Sequence, residues 1–486
     1  MTGRGDVRRA EAIAAIALAL GTFAAAVARA EEPASAETPA GGATTVAASA
    51  PTAAGPQAPP DLPGAAPPPA ARADGRVVLS FEAALRRALQ ANLGLGRARA
   101  EVLVANAQKR GAFSLILPRV GATGGLIRND REVAFGGADF SRVILPRNDW
   151  NLRLTVNQPV FAGLREKRQY DQAKEGVRAA EQGVRITEDR ILLRTAEDYL
   201  TVVEGDALVK VAEQTVALAR DRLKQARDFF EAGETTRVDV LRAESAVKTA
   251  ERQVTLARRL REAAAGQLRI DLDAEGDFAV DEPEPSLPPR PAEAILLQRA
   301  AQSRGDVAQA RSAARIADLE VAKQKGAYLP TITADAGYTW QKTAFPSDRY
   351  GFAALRFNVP IWQSGEIGAR VAVASERLRQ AQLSLAEATR SAQEDVRRAL
   401  LDLDTAETAL ALSREQLAAA EAEYAQVADL YRNQEATSLD IQSTEANLAD
   451  ARRAVVVSRL SRLFAELSVH FASGDLKSAV LKEAQP

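Results

Sequence analysis

Residues 329–342 read Leu-Pro-Thr-Ile-Thr-Ala-Asp-Ala-Gly-Tyr-Thr-Trp-Gln-Lys, and residues 352–362 read Phe-Ala-Ala-Leu-Arg-Phe-Asn-Val-Pro-Ile-Trp. In the first stretch Ile332, Ala334, Ala336, Tyr338 and Trp340 alternate with Thr333, Asp335, Gly337, Thr339 and Gln341; in the second, Leu355, Phe357 and Val359 oppose Arg356 and Asn358. A period of two marks β-strands with one apolar and one polar face. Each stretch is long enough to cross a bilayer as one tilted strand. About 200 residues earlier the same writing occurs at 117–128 and 151–161, where Leu152, Leu154 and Val156 oppose Asn151, Arg153, Thr155 and Asn157. The chain is duplicated: Leu117-Pro118 matches Leu329-Pro330, and Gln158-Pro159-Val160-Phe161 matches Val359-Pro360-Ile361-Trp362.

One face of these strands suits lipid and the other water. The aromatic residues support this placement, because all three tryptophans fall in or beside the strands. Trp150, Trp340, Tyr350 and Trp362 stand near strand ends, where membrane-interface aromatics are expected. A half-buried soluble hairpin is the alternative, since soluble sheets also alternate. Four strands cannot close a barrel, and an open edge in lipid leaves backbone groups unpaired at several kcal/mol each. The strands therefore call for assembly with further copies of the chain. Two copies give eight strands and a filled interior, whereas three give twelve and a lumen.

After each strand pair runs a proline-free window, Pro159 to Pro283 and Pro360 to Pro486. Tyr170, Val177, Val184 and Ile191 recur every seven residues with Ala173 and Ala180 between them, and Val371, Leu378, Leu385 and Ala392 repeat the scheme. The return legs carry Val240, Val247 and Val254, then Ile441, Leu448 and Val455. These are coiled-coil seams with one large and one small line. A helix from Leu164 to Phe230 would span on the order of 100 Å. It must reverse near Glu231-Ala232-Gly233-Glu234, where Gly233 permits a left-handed turn; the second copy reverses near Asn433-Gln434. On helices alone, a coiled-coil spacer would remain an equal reading.

The flanks and the composition narrow the function. Arg4, Arg8 and Arg9 precede an apolar run, Ala12 to Val27, and then Ala28-Arg29-Ala30, so residues 1–30 are expected to be a signal peptide. Residues 31–76 hold ten of the 22 prolines and are expected to form a disordered Ala/Pro-rich linker. The first repeat is assigned to 77–282, a Pro-rich inter-repeat linker to 283–290, the second repeat to 291–476 and a tail to 477–486. The balance of 63 Lys+Arg against 64 Asp+Glu argues against a nucleic-acid partner. With no cysteine the chain cannot carry a lipid on an N-terminal Cys, nor build a thiol or Cys/His metal site. No phosphate loop, metal cluster or activated nucleophile is present, so neither an enzyme nor a cofactor is expected. His470, the one histidine, reads as a packing or surface residue.

The run Leu79 to Asn92, the Leu-Pro strand starts, the Pro-x-aromatic strand ends and the Gly233 to Glu244 turn with Asp239-Val240-Leu241 together resemble the TolC family of outer-membrane efflux proteins, over about residues 77–475. The resemblance implies an α+β membrane protein: duplicated long coiled-coil hairpins form a periplasmic α-barrel, and four β-strands per chain contribute to a trimeric 12-stranded outer-membrane β-barrel. It implies a homotrimer in outer-membrane lipid, a periplasmic adaptor and an inner-membrane pump as partners, and service as the exit duct of a tripartite efflux pump or type I secretion system. It also implies a gate at the periplasmic tip: Asp440 matches an acidic ring, and Tyr431 and Asp239 match an aromatic and an acid that pair across the turns. Three Asp440 carboxylates around an axis would attract cations. The chain departs from the pattern at Ser443, Ala436 and Val238, where a second acid, an arginine and a hydroxyl are missing. Asp440 could equally cap the return helix, Tyr431 could be a seam residue, and Glu234 and Glu435 at the helix-turn tips could simply be solvated. A periplasmic coiled-coil adaptor or spacer is the competing function.

Overall fold

The computed structural model describes residues 77–137, 140–283, 290–342 and 348–481. The chain divides into residues 1–65 and 66–486, and the described residues all belong to the second unit. The expected signal peptide at 1–30 and linker at 31–76 lie outside them, as do 284–289 and 482–486.

Strand β1 (Val77–Leu79) leads into α1 (Phe81–Ala91) and α2 (Leu93–Ser114). Both helices open on a cap: the Ser80 hydroxyl accepts from the Ala83 amide at 3.3 Å and Asn92 Oδ1 from the Gly94 amide at 2.8 Å. Then come β2 (Arg119–Arg128), β3 (Val133–Gly137), β4 (Phe140–Leu145) and β5 (Asn148–Ala162), followed by α3 (Arg165–Glu231), α4 (Arg237–Leu272) and β6 (Phe278–Val280). The second repeat supplies α5 (Glu293–Ser303), α6 (Gly305–Lys325), β7 (Thr331–Gln341), β8 (Arg349–Asn358), α7 (Glu366–Arg432) and α8 (Ser438–Ser473), and α9 (Leu476–Leu481) closes the described chain.

Helices α3 and α7 are each 67 residues long, and their return legs α4 and α8 are each 36. A return leg therefore covers about half of its partner. The other half of α3 packs on α2 and α6, and that of α7 on α6. The seams follow the heptads: Val177, Ile191, Val247, Ala250, Ala374, Ala392, Ile441, Leu448 and Ala451 are buried. The expected span Leu164–Phe230 is displaced by a single residue.

Where the half-length helices meet, the core gathers Leu85, Leu192, Tyr199, Leu268, Leu272, Leu467 and Leu476. Here β1 and β6 pair in parallel, joining residues about 200 apart in the chain. The buried hydroxyl of Tyr199 bridges them, contacting Leu79 O at 2.9 Å and Asp281 O at 2.8 Å. Residues 477–481, expected as tail, belong instead to α9, which buries Leu476, Ala479 and Leu481 in or beside this core.

The strands β2, β5, β7 and β8 form one antiparallel sheet in that order. Residues opposite each other share a face, so the register sorts the side chains. Val120, Leu126, Trp150, Leu152, Leu154, Tyr338 and Trp340 line one face; Arg119, Thr123, Arg153, Asn157, Asp335 and Thr339 line the other. Leu126 is 91% exposed, Phe357 65% and Val120 59%, so these side chains of the apolar face stand uncovered by the described residues. The polar face is bonded internally: Asn157 donates to Asp335, Arg356 Nε lies 3.3 Å from Asp335 Oδ2, and Arg153 Nε donates to Thr339 Oγ1 at 3.3 Å.

The strand expectations need three corrections. The fourth strand, expected to reach Trp362, ends at Asn358, because its partner β7 begins only at Thr331, after Pro330, and Thr331 pairs with Asn358. An additional ribbon, β3–β4, occupies the connection between β2 and β5. Tyr350 lies opposite Thr339 and hence on the polar face, apart from the face shared by Trp150 and Trp340.

Candidate functional site

Each long helix ends in the same device. In the first hairpin the Glu234 amide donates to Phe229 O at 2.8 Å and the Gly233 amide to Phe230 O at 3.0 Å; in the second, the Glu435 amide donates to Leu430 O at 2.8 Å and the Gln434 amide to Tyr431 O at 3.1 Å. These are paired C-terminal caps with a left-handed residue at the turn. Gly233 supplies it without strain at φ 77°, as expected, while the second copy forces Gln434 to φ 60°. The strained glutamine is also a contact, for its side-chain amide donates to Glu234 of the other turn. Glu234 is therefore a tip-to-tip acceptor, whereas Glu435 shows only its backbone bond at the turn.

The return helices start on acids. Thr437 donates through its amide and hydroxyl to Asp440 Oδ2 at 2.9 and 2.7 Å, and the Asp440 amide donates back to Thr437 Oγ1 at 3.3 Å. This is a complete capping box, and its bonds from Thr437 hold the Asp440 carboxyl below the usual range. Asp239 stands at the matching place: Thr236 and Thr235 hydroxyls donate to its Oδ2 at 2.7 and 3.0 Å, and Arg242 lies 3.4 Å from Oδ1. The Thr236 bond is the chief cause of its lowered pKa. Both carboxylates are thus ionised and fixed at the tips.

Tyr431 is buried with its ring edge-on to Phe229, centroids 5.9 Å apart. Burial pushes its hydroxyl pKa up, with the charges of Asp239 and Glu445 adding and Arg222 opposing. The structure brings Tyr431 and Asp239 into electrostatic range, but the carboxylate of Asp239 is occupied by Thr235, Thr236 and Arg242.

Two residues that sequence reasoning passed over meet just behind the tips. Arg222 of α3 and Glu445 of α8 form an ion pair, Nη1 to Oε2 2.6 Å, with side chains only 3% and 10% exposed. A signal existed. Arg222 interrupts the buried line Val216, Ala219, Ala226, and Glu445 interrupts Ile441, Leu448, Ala451, so complementary charges intrude on two apolar stripes at similar depth. Beside the pair is a cavity of about 550 Å³ lined by Tyr424, Tyr431, Asp221 and Asp429 among others.

At the opposite end, Trp150 and Trp340 lie on the apolar face of the sheet, and Trp362 is 82% exposed beyond the end of β8. His470 is buried, with Nδ1 3.1 Å from Asp475 Oδ1, in keeping with a packing role. Among the described residues no group of three or more His, Cys, Asp or Glu could hold a metal ion, and no helix is long and apolar enough to cross a membrane.

An amphipathic sheet whose edge strands β2 and β8 have no further partner among the described residues, joined to two helical hairpins of about 100 Å, is the architecture of an outer-membrane channel subunit. The chain belongs to the outer membrane efflux protein family, which it matches over residues 84–270 and 296–475. It is 24% identical over 348 residues to the outer membrane efflux protein BepC of Brucella suis, an alignment covering 70% of this chain and 76% of that one. Its fold is similar to that of CusC, at a TM-score of 0.71 and 18% identity over 81% of this chain and 91% of that one. It is also similar to the outer membrane protein VceC of Vibrio cholerae, at 0.69 and 18% over 81% and 96%.

Proposed function

We propose that three copies of this chain form the passive exit duct of a tripartite efflux pump or type I secretion system. Twelve strands would cross the outer membrane, and a helical barrel would extend into the periplasm. A periplasmic adaptor and an energised inner-membrane pump would be the partners. The observation that carries the reading is the sheet β2-β5-β7-β8, with both edges open and an uncovered apolar face backed by a bonded polar one. In lipid such edges must be paired, and pairing between copies encloses the polar face as a lumen.

The mouth of the duct is assigned to the helix turns. Asp440 serves two ends with one carboxylate: the bonds from Thr437 start α8, and the same bonds keep the group ionised, so three copies would present a ring of fixed negative charge. Asp239 repeats the arrangement in the first hairpin. Tyr431 and Glu234 join the two turns within a chain, through Phe229 and Gln434.

The test is conductance of the purified protein in planar bilayers. Asp440→Asn keeps an acceptor for Thr437 and removes the charge, while Asp440→Ala removes both. Both variants should lose cation preference and block by multivalent cations, and only the alanine should loosen the first turn of α8 by hydrogen exchange. Unchanged selectivity in both would remove Asp440 from the constriction, and a protein soluble without detergent would remove the duct.

A further inference from the structure

Where the sheet meets the helices, a cavity of about 590 Å³ is walled by residues of β2, β5, β7, α3, α6 and α7. Four cations line it: Arg119 at the start of β2, Arg165 at the start of α3, Lys323 near the end of α6 and Arg370 near the start of α7. Glu166 is the one acid among its described lining residues. Arg119 lies opposite Asn157 and the lining residue Thr333 opposite Arg356, so the cavity is continuous with the polar face of the sheet.

Two of the four cations are already neutralised. Lys323 pairs with Glu320 at 2.5 Å and Arg370 with Glu366. The other two are not: Arg165 gives its Nε to Ala162 O at 3.0 Å and has no acid partner among the described residues, and Arg119 has there neither a hydrogen bond nor an ion pair. Asp335 of the polar face is committed to Asn157, Thr333 and Arg356. Edge-to-edge pairing of copies would set β2 against the β8 of the next copy, and the polar face of β8 carries Tyr350, Phe352, Ala354, Arg356 and Asn358. That face brings a further guanidinium and no carboxylate, so the strand partner leaves Arg119 uncompensated.

Guanidinium groups bind oxyanions through paired N–H donors, and they give up water more readily than an ammonium does. A cavity of this volume takes a small organic molecule, and Leu115 and Pro159 give it an apolar wall beside the charges. We propose that the cavity is a binding site for small organic anions, molecules that carry a carboxylate, phosphate or sulfonate on an apolar body. Arg119 and Arg165 hold the oxyanion, and Leu115 and Pro159 meet the hydrocarbon. As a station on an export path the site rests on the duct reading; as an anion site of this chain it does not. The path then has two signs of charge, acidic at the helix turns and basic at the foot of the strands.

The test is calorimetric titration of the detergent-extracted protein with naphthalene-1,5-disulfonate at low salt, alongside conductance in planar bilayers. Arg119→Gln and Arg165→Gln should each weaken binding by about tenfold, and Arg165→Lys, which keeps the charge, should recover part of the loss. Glu166→Gln should tighten binding, a change that damage to the fold does not produce. Arg153→Gln, at a polar-face cation outside the cavity, should leave the affinity within about twofold. Sulfate carries the same charge without the hydrocarbon and should bind about fivefold more weakly or worse. No binding, an equal loss from Arg153→Gln, or sulfate bound as tightly as the disulfonate would overturn the site. In bilayers the disulfonate should reduce the current of the unsubstituted protein and spare that of Arg119→Gln. A protein that binds the disulfonate but never conducts would leave the anion site standing and refute the duct, whereas a conducting protein that does not bind it would refute the site alone.

Discussion

Replacing Tyr199 by Phe isolates one hydroxyl at the centre of the chain. The side chain is fully buried, and its oxygen meets three backbone groups: Leu79 O at 2.9 Å, Asp281 O at 2.8 Å and the Asp281 amide at 3.1 Å. It thereby ties α3 to the parallel β1–β6 pair, which is only three residues long and also buries Leu79, Phe278 and Val280 in the core. Tyr199→Phe keeps the edge-on packing against Phe81, 5.3 Å between centroids, and removes only the polar contacts. The hydroxyl donates one hydrogen bond and accepts another, and each is worth about 1–1.5 kcal/mol net. A total of about 2–3 kcal/mol corresponds to exchange of the Asp281 amide becoming about 30- to 150-fold faster, if the segment opens locally. The assay is native-state hydrogen exchange of detergent-extracted protein, read by mass spectrometry across residues 77–81 and 278–283. An acceleration below about twofold would show that the β1–β6 pair is held by its apolar side chains, and that the hydroxyl merely fits between them.

Three further predictions test other parts of the structure. At Gly163 a Cβ would stand 2.0 Å from Gly326 O with φ at 64°, whereas at Gly365, which also has a positive φ just before its long helix, it would meet nothing, so Gly163→Ala should prevent stable assembly while Gly365→Ala costs about 1 kcal/mol in thermal unfolding; equal effects would refute the close approach at the base of α3. Burial, and then the hydrogen bond with Asp271, raise the Asp198 carboxyl to about 7. The folded state thus binds a proton that the unfolded state has released, and stability falls as pH rises from about 4 to about 7; Asp198→Asn should flatten that slope and gain about 1–2 kcal/mol above pH 7 after solvent screening, and an unchanged slope would count against the carboxyl pair. Lipids brominated in their acyl chains should quench single-tryptophan variants retaining Trp150 or Trp340, but not a chain whose one tryptophan comes from Tyr350→Trp; equal quenching would refute the assignment of faces.

Periodicity and proline carried most of the fold. The heptads from Tyr170 to Ile191 and the absence of proline between Pro159 and Pro283 left α3 little choice, and its ends were legible to within a residue. Gly233 was legible for the same kind of reason, since only the backbone requirement of a turn puts glycine between two amphipathic runs. What escaped was whatever depends on a distant partner. The β1–β6 pair joins three-residue strands with no local period to reveal them. The fourth strand looked continuous to Trp362 because its own alternation continues, yet its length is set by where β7 starts. Tyr350 was read by its nearness to a strand end, but a face is fixed by register, and register is a property of two strands. Asp440 was legible as a cap because capping is local: Thr437 and Asp440 are three residues apart. Arg222 and Glu445 are 223 residues apart, and each alone looks like a charge misplaced on an apolar stripe.

If the chain forms the proposed duct, the lengths of the hairpins would let few residues at the tips control its mouth. Both long helices have 67 residues and both return legs 36, so the two turns fall at matching height and contacts can cross between them. At 1.5 Å per residue each long helix reaches about 100 Å, and a rotation of 1° about its barrel end moves the tip by about 1.7 Å. An opening of several ångströms thus asks for only a few degrees at the base, too little to disrupt knobs-into-holes packing there. Near the barrel the seam barely registers the motion; at Arg222 and Glu445, about 14 Å and 10 Å along the helix from their turns, nearly the whole displacement is felt. The two copies match along the shafts and diverge at the ends, with an unstrained Gly233 against a strained Gln434 and a partial cap at Asp239 against a full one at Asp440.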